Sequence, residues 1–271
     1  MTTIDHVVVA PSAPFISRKT AVFLGQLAFA ALLLLAWQWA SDAFGMIFFA
    51  PPLAVLRRLY ELTISGEMLW DIVATLRVSA IGFVIALVAG LILPFLLRLS
   101  PRATEAVEPY ILWSQGIPKY ALAPWLILWF GIGDTPKIVI VVLMVFYVIF
   151  ITTFAGIRAV DRRLINMARI MGASETTISR EVMWKSLQPF FYAGLKIALP
   201  RAVGATIVGE FLVSTQGVGY YIEHARELSD TVGVFAGIVV ATGLVLVINM
   251  IVERLERHAL AWRPIDRDMA R

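Results

Sequence analysis

Long uncharged runs alternate with short basic segments along this chain, and the runs have the lengths of membrane-spanning helices. Ala21–Ala40, Val78–Leu97, Ile138–Ile157 and Thr231–Val252 contain no Asp, Glu, Lys or Arg. A bilayer core about 30 Å thick is crossed by about 20 apolar helical residues, so each run predicts one span. Two further stretches are apolar but interrupted. Val107–Ile132 holds Gln115, Gly116, Pro118, Lys119 and Pro124, and Phe190–Val213 holds Lys196, Arg201 and Glu210. Counting both predicts an all-α polytopic membrane protein with six transmembrane helices. Pro94 is expected to kink the end of the second span. Ser41–Trp70, with Pro51-Pro52, Arg57-Arg58, Glu61, Gly66 and Glu67, reads as a loop carrying a short amphipathic helix. Arg18-Lys19 ahead of the first run resembles a signal peptide, but the run exceeds an h-region of about 7–15 residues. It is read as a retained span.

The longest polar interruption is Asn166–Pro189, which carries Arg169, Glu175, Arg180, Glu181 and Lys185 between two spans. Helical spacing on both sides of Gly172-Ala173 predicts two short helices joined at the glycine. Long loops in compact proteins are usually functional or disordered. On pattern alone, an amphipathic helix lying in the headgroups is an equal alternative. Gly172 would serve by adopting positive φ or by admitting another backbone closely.

Connections between spans carry an uneven share of basic residues. Arg18, Lys19, Arg98, Arg102, Arg158, Arg162, Arg163, Arg169, Arg180, Lys185, Arg254, Arg257, Arg263, Arg267 and Arg271 fall on one side, against Arg57, Arg58, Lys137 and Arg226 on the other. By the positive-inside rule the richer side is cytoplasmic. Both termini and the Asn166–Pro189 loop are therefore expected there, with Ser214–Asp230 external.

Composition narrows the function classes. Of 271 residues, 59% are hydrophobic and 15% charged, far from the soluble norm of about 25% charged. The chain has no cysteine, and its three histidines, His6, His224 and His258, are scattered, so no metal site is expected. The net charge of +4 fits basic loops facing a membrane and does not require nucleic acid. No G-x-x-x-x-G-K-[ST] occurs, so this chain has no P-loop and any ATP would be bound by a partner. No constellation argues for a membrane enzyme, and Asp134 beside Gly133 reads as a loop residue.

The segment Met167-Ala168-Arg169-Ile170-Met171-Gly172-Ala173-Ser174 resembles the EAA loop of binding-protein-dependent ABC importer permeases. Asn166 stands where that family usually has Glu, and Trp184-Lys185 where Leu-Pro usually falls. Gly116-Ile117-Pro118-Lys119, Ala121-Leu122-Ala123-Pro124 and Leu128-Trp129-Phe130-Gly131-Ile132-Gly133 resemble the nitrate, sulfonate and taurine group of those permeases. So do Gly194–Arg201 and Gly209–Tyr220, and the resemblance runs from Leu53 to Arg257. It implies a homodimer in the bacterial inner membrane, two copies of a separate ABC ATPase, and an external solute-binding protein. It also implies import of a small anion, with the loop docking as short coupling helices into the ATPase. The coupling residues would be Asn166, Met167, Ala168, Ile170, Met171, Gly172, Ala173 and Ser174, with Met167, Ile170 and Met171 as apolar anchors. Residues 20–257 would form the permease domain, with the coupling loop at 158–189, between cytoplasmic tails 1–19 and 258–271.

Ionisable groups at membrane depth usually face a cavity or a partner. Lys119, Arg201 and Glu210 are thus candidates for lining the translocation pathway, with structural pairing an equal alternative for each. Lys196 is expected to snorkel, and Gly233-x-x-x-Gly237 to pack within the subunit. A stand-alone secondary transporter or channel is the competing reading. It would call for internal repeats and discontinuous helices, and no repeat is evident.

Overall fold

The computed structural model describes residues 18–261, and every regular element among them is helical. In chain order these are α1 (Arg18–Phe44), α2 (Pro52–Ser65), α3 (Glu67–Leu97), α4 (Pro101–Ser114), a 3-10 turn (Lys119–Leu122), α5 (Ala123–Phe130) and α6 (Asp134–Arg158). Then come α7 (Arg162–Ile170), α8 (Glu175–Leu212, with a π-helical stretch at Ile178–Met183), α9 (Val218–Glu227) and α10 (Thr231–Ala259). The expected tails 1–19 and 258–271 fall mostly outside the described residues.

Among the described residues five helices, α1, α3, α6, α8 and α10, are long and apolar enough to cross a membrane. The sixth expected span is not one helix. The stretch read as Val107–Ile132 is broken into α4, the 3-10 turn and α5. Pro118 cannot donate an N–H and disfavours helical backbone at Ile117, while Pro124 sits in the first turn of α5, where no donor is needed. The continuity expected of this span was wrong.

Elsewhere the helices outrun the uncharged runs because the flanking charges find partners. α3 begins at Glu67, eleven residues before Val78, and Asp71 and Arg77 lie inside it. Asp71 accepts from the Gly217 amide at 2.7 Å, and Arg77 pairs with Asp134. Asp134 is no loop residue, since it opens α6 and pairs also with Lys137 at 2.8 Å. Pro94 falls in the last turn of α3.

α6 is the centre of the bundle, packed between α3 and α8. Its buried face (Ile140, Val141, Val145, Val148, Ile149) meets Ala86 of α3 and Ala198, Ala202 and Ala205 of α8. Lipid tails are as apolar as these side chains, so close van der Waals packing at small residues must hold such helices together. Gly82 shows how tight the seam is: a Cβ there would stand 2.6 Å from the Val141 side chain. Gly237 serves α10 likewise against Ile222 of α9, so the glycine pair packs within the chain. α1 is exposed from Thr20 to Ala36 and is anchored near its end by Trp37. The Trp37 indole donates to the Ala50 carbonyl at 3.0 Å and stacks on Phe235.

Candidate functional site

Two regions carry most of the chemistry read from the sequence, one at the start of α8 and one at the broken span. At the first, Asp161 caps α7 by accepting from the Arg163 amide at 2.8 Å. The helix closes on Gly172, whose φ is +81°, with Gly172 N–H donating to Arg169 O (2.9 Å) and Ala173 N–H to Ala168 O (3.0 Å). This pair of bonds is a Schellman motif, which needs a left-handed residue at the glycine position. A Cβ on Gly172 would meet nothing within 4 Å, so positive φ, and not close approach within the chain, is its use. Ala168 and Ala173 supply the apolar contact of the motif by packing with Ile157, Ile178 and Met183.

Ser174 then caps the next helix, accepting from the Thr177 amide at 3.2 Å. That helix is not the second short helix expected from the sequence. It continues through the π-helical stretch into α8, with Pro189 inside it. No proline or glycine stands between Ser174 and Gln188 to stop it, and where Leu-Pro usually falls, Trp184-Lys185 is fully helix-compatible.

Glu175 locks this arrangement. Its Oε1 accepts from Arg169 Nε and Nη2 (2.9 and 2.7 Å), while its Oε2 accepts from Arg98 at the end of α3 (2.8 Å). Met167, Ile170 and Met171 are left 59%, 87% and 81% exposed on the outer side of α7. Asn166 borders a pocket with Arg98, Arg158 and Arg169 instead. Sequence reading did not single out Arg98 or Glu175. An Arg and a Glu six residues apart across a glycine were a usable signal for half of that contact, but nothing local marks Arg98.

The second region is the broken span. Lys119 Nζ donates to the carbonyls of Gln115 and Ile117 and lies 4.7 Å from the centre of the Tyr147 ring. A cation on these carbonyls also suits the negative end of α4. Arg201, on α8, is exposed and has no carboxylate partner among the described residues. It is close enough to Lys119 for the two positive charges to interact. Irregular backbone at membrane depth is tolerated where it is buried in protein or lines a watery cavity.

Glu210 is not with them. It is 2% exposed, and its carboxylate accepts from Thr75 Oγ1 (2.8 and 3.0 Å) and the Gly219 amide (2.8 Å). Thr75 Oγ1 in turn accepts from the Val218 amide at 2.9 Å, tying α3, α8 and α9 in one knot. Lys137, placed in an external connection by the sequence, is buried beside it, donating to Ser214 at 3.2 Å. Lys196 pairs with Glu256 near the other end.

Known proteins resemble this chain in sequence and in fold. The model of the binding-protein-dependent transport system inner membrane components matches residues 82–260. The formylaminopyrimidine transport permease protein ThiX of Halalkalibacterium halodurans is 31% identical over 87% of this chain and 94% of its own length. The taurine transport system permease protein TauC of Escherichia coli is 28% identical over 91% of each chain. Among solved structures, the inward-facing methionine ABC transporter MetNI superposes with a TM-score of 0.60 at 22% identity, over 72% of this chain and 94% of that one, which shows a shared fold. With 179 consecutive residues matched and the relatives aligned almost end to end, this chain belongs to the family of binding-protein-dependent transport system inner membrane components.

Proposed function

We propose that the chain is the permease of an ABC importer for a small anionic solute, working as a homodimer with two ATPase subunits and an external solute-binding protein. ATP is bound by the ATPase, and this chain catalyses no reaction. Both termini and α7 lie in the cytoplasm, as the basic residues on that side favour. The observation that carries the reading is the outer face of α7. Three large apolar side chains stand exposed there, on a helix held by a Schellman turn and two arginine–carboxylate contacts. An apolar knob outside the membrane-spanning segments fits a groove on a partner, and methionines adapt readily to such grooves. The break between α4 and α5 is the one feature that a secondary transporter would share, and family membership favours the importer.

Lys119 and Arg201 support the choice of an anion, as does the taurine relative. The test is copurification with the ATPase co-expressed in the same membrane. The wild-type chain should retain the ATPase in detergent, and Ile170→Asp should lose most of it while staying inserted. Retention of ATPase by Ile170→Asp at the wild-type level would defeat the docking assignment.

A further inference from the structure

Four arginines converge where α7 meets the bundle, and coupling explains only part of their arrangement. Arg98, Arg158, Arg162 and Arg169 line one pocket of about 530 Å³ with Ile157, Val160, Ile165 and Asn166. No carboxylate lines it. Two outlying carboxylates neutralise part of the charge: Glu175 takes Arg98 and Arg169, and Glu108 takes Arg158 with both oxygens, one at 3.0 Å and one at 2.7 Å. Arg162 has no ion-pair partner among the described residues. The Nε of Arg98 is buried with no hydrogen-bond partner. A buried unpaired donor costs stability unless something outside the chain accepts from it. Arg162 and Arg163 also open α7, where the helix dipole disfavours cations, and the capping Asp161 is the one carboxylate at that end, set against two arginines. Helix stability alone therefore gives no reason for Arg162.

We propose that this pocket is a binding site for a phosphate-bearing anion. Guanidinium groups match phosphate oxygens in paired hydrogen bonds and suit partly buried anion sites. The volume holds a phosphate with a small polar substituent. A phospholipid headgroup and a soluble phosphate share this chemistry. The surroundings point to the lipid. Arg98 also borders an apolar groove lined by Leu91, Ile92, Phe95 and Leu96, and Ile92 and Leu96 continue it along α3 toward Val84. A phosphate on the arginines would place its acyl chains in that groove, with Arg98 shared between the two. Basic pockets between membrane helices hold anionic headgroups in this manner. Bound there, the phosphate would touch α7, α3 and α6 at once. The site needs only membrane insertion and is independent of which solute is carried.

The test uses the full-length chain, delipidated in detergent and titrated with phosphatidylglycerol or phosphatidylcholine under native mass spectrometry, with pyrophosphate titrated separately by calorimetry. Phosphatidylglycerol should bind at least about tenfold tighter than phosphatidylcholine. Arg162→Gln should weaken it about tenfold. Arg163→Gln removes the same charge one residue away, outside the lining, and should change binding less than about twofold. Asn166→Asp, which adds a negative charge inside the pocket, gives a second variant should Arg162→Gln not accumulate. Pyrophosphate binding with the same variant pattern, and no preference among lipids, would assign the site to a soluble phosphate. Equal effects of Arg162→Gln and Arg163→Gln, or no phosphate ligand retained at all, would overturn the site.

Discussion

Arg169 and Glu175 face each other across the Gly172 turn, two hydrogen bonds from one guanidinium meeting a single carboxylate oxygen. The pair joins the end of α7 to the start of α8, and the second oxygen of Glu175 extends the link to Arg98 on α3. As a solvent-exposed pair it adds little stability. Its value is geometric, because it fixes the angle at which α7 leaves the bundle.

A charge swap separates the two parts of that link. Arg169→Glu or Glu175→Arg alone should each cut solute-stimulated ATP hydrolysis severalfold in the assembled transporter. The double swap should restore it only in part, because Arg98 would then confront an arginine at position 175. Full recovery in the double variant would show that Arg98 is dispensable to the link.

Gly172 offers a test of backbone alone. At φ +81° an L-residue is strained, by about 1–2 kcal/mol for ordinary side chains and less for Asn. Gly172→Leu should leave the spans inserted and abolish solute-stimulated ATP hydrolysis, and Gly172→Asn should keep a substantial part of it. If coupled uptake by Gly172→Leu equals that of the wild type, α7 is not the coupling element.

Reporter fusions check the orientation. A reporter at Gly172 should show cytoplasmic activity, and one within 214–230 should show external activity. The reverse pattern would remove α7 from reach of any ATPase.

Lys119 tests the pathway. Lys119→Met removes the cation near Arg201 together with its two carbonyl contacts. Uptake of an anionic solute should fall severalfold while copurification of the ATPase is unchanged. A parallel loss of assembly would mark Lys119 as a structural cap of α4, and unchanged uptake would make it peripheral.

What the sequence revealed, and what it hid, divides along local and non-local lines. The uncharged runs marked four of the five membrane-length helices, because lipid imposes that length on any helix crossing it. The Gly172 turn was legible because a Schellman motif is written in consecutive residues. The break near Pro118 was visible as prolines, yet total hydrophobicity argued for a span, and apolarity does not report continuity. Asp134 was read as a loop residue and Lys137 as part of a connection. Both belong to α6, where they pair with each other three residues apart, and the further partner of Asp134, Arg77, is 57 residues away and comes near only in the fold. Glu210 was conspicuous as a charge, but nothing near it in the chain announced Thr75, 135 residues away.

The continuity of α8 has a mechanical consequence. Glu175, beside the docking knob, and Arg201, beside the broken span, stand on one uninterrupted helical rod, about 39 Å apart at 1.5 Å per residue. A rod transmits displacement without a slack segment to take it up. A shove on α7 would therefore reach Arg201 as rotation or sliding of a whole beam, with the Thr75–Glu210 knot as its far bearing. Spin labels at Thr176 and Gly204 should keep a constant separation between the nucleotide-free and ATP-bound transporter. A change of more than about 5 Å, roughly one helical pitch, would mean that the π-helical stretch yields as a joint and that the lever is shorter than it looks.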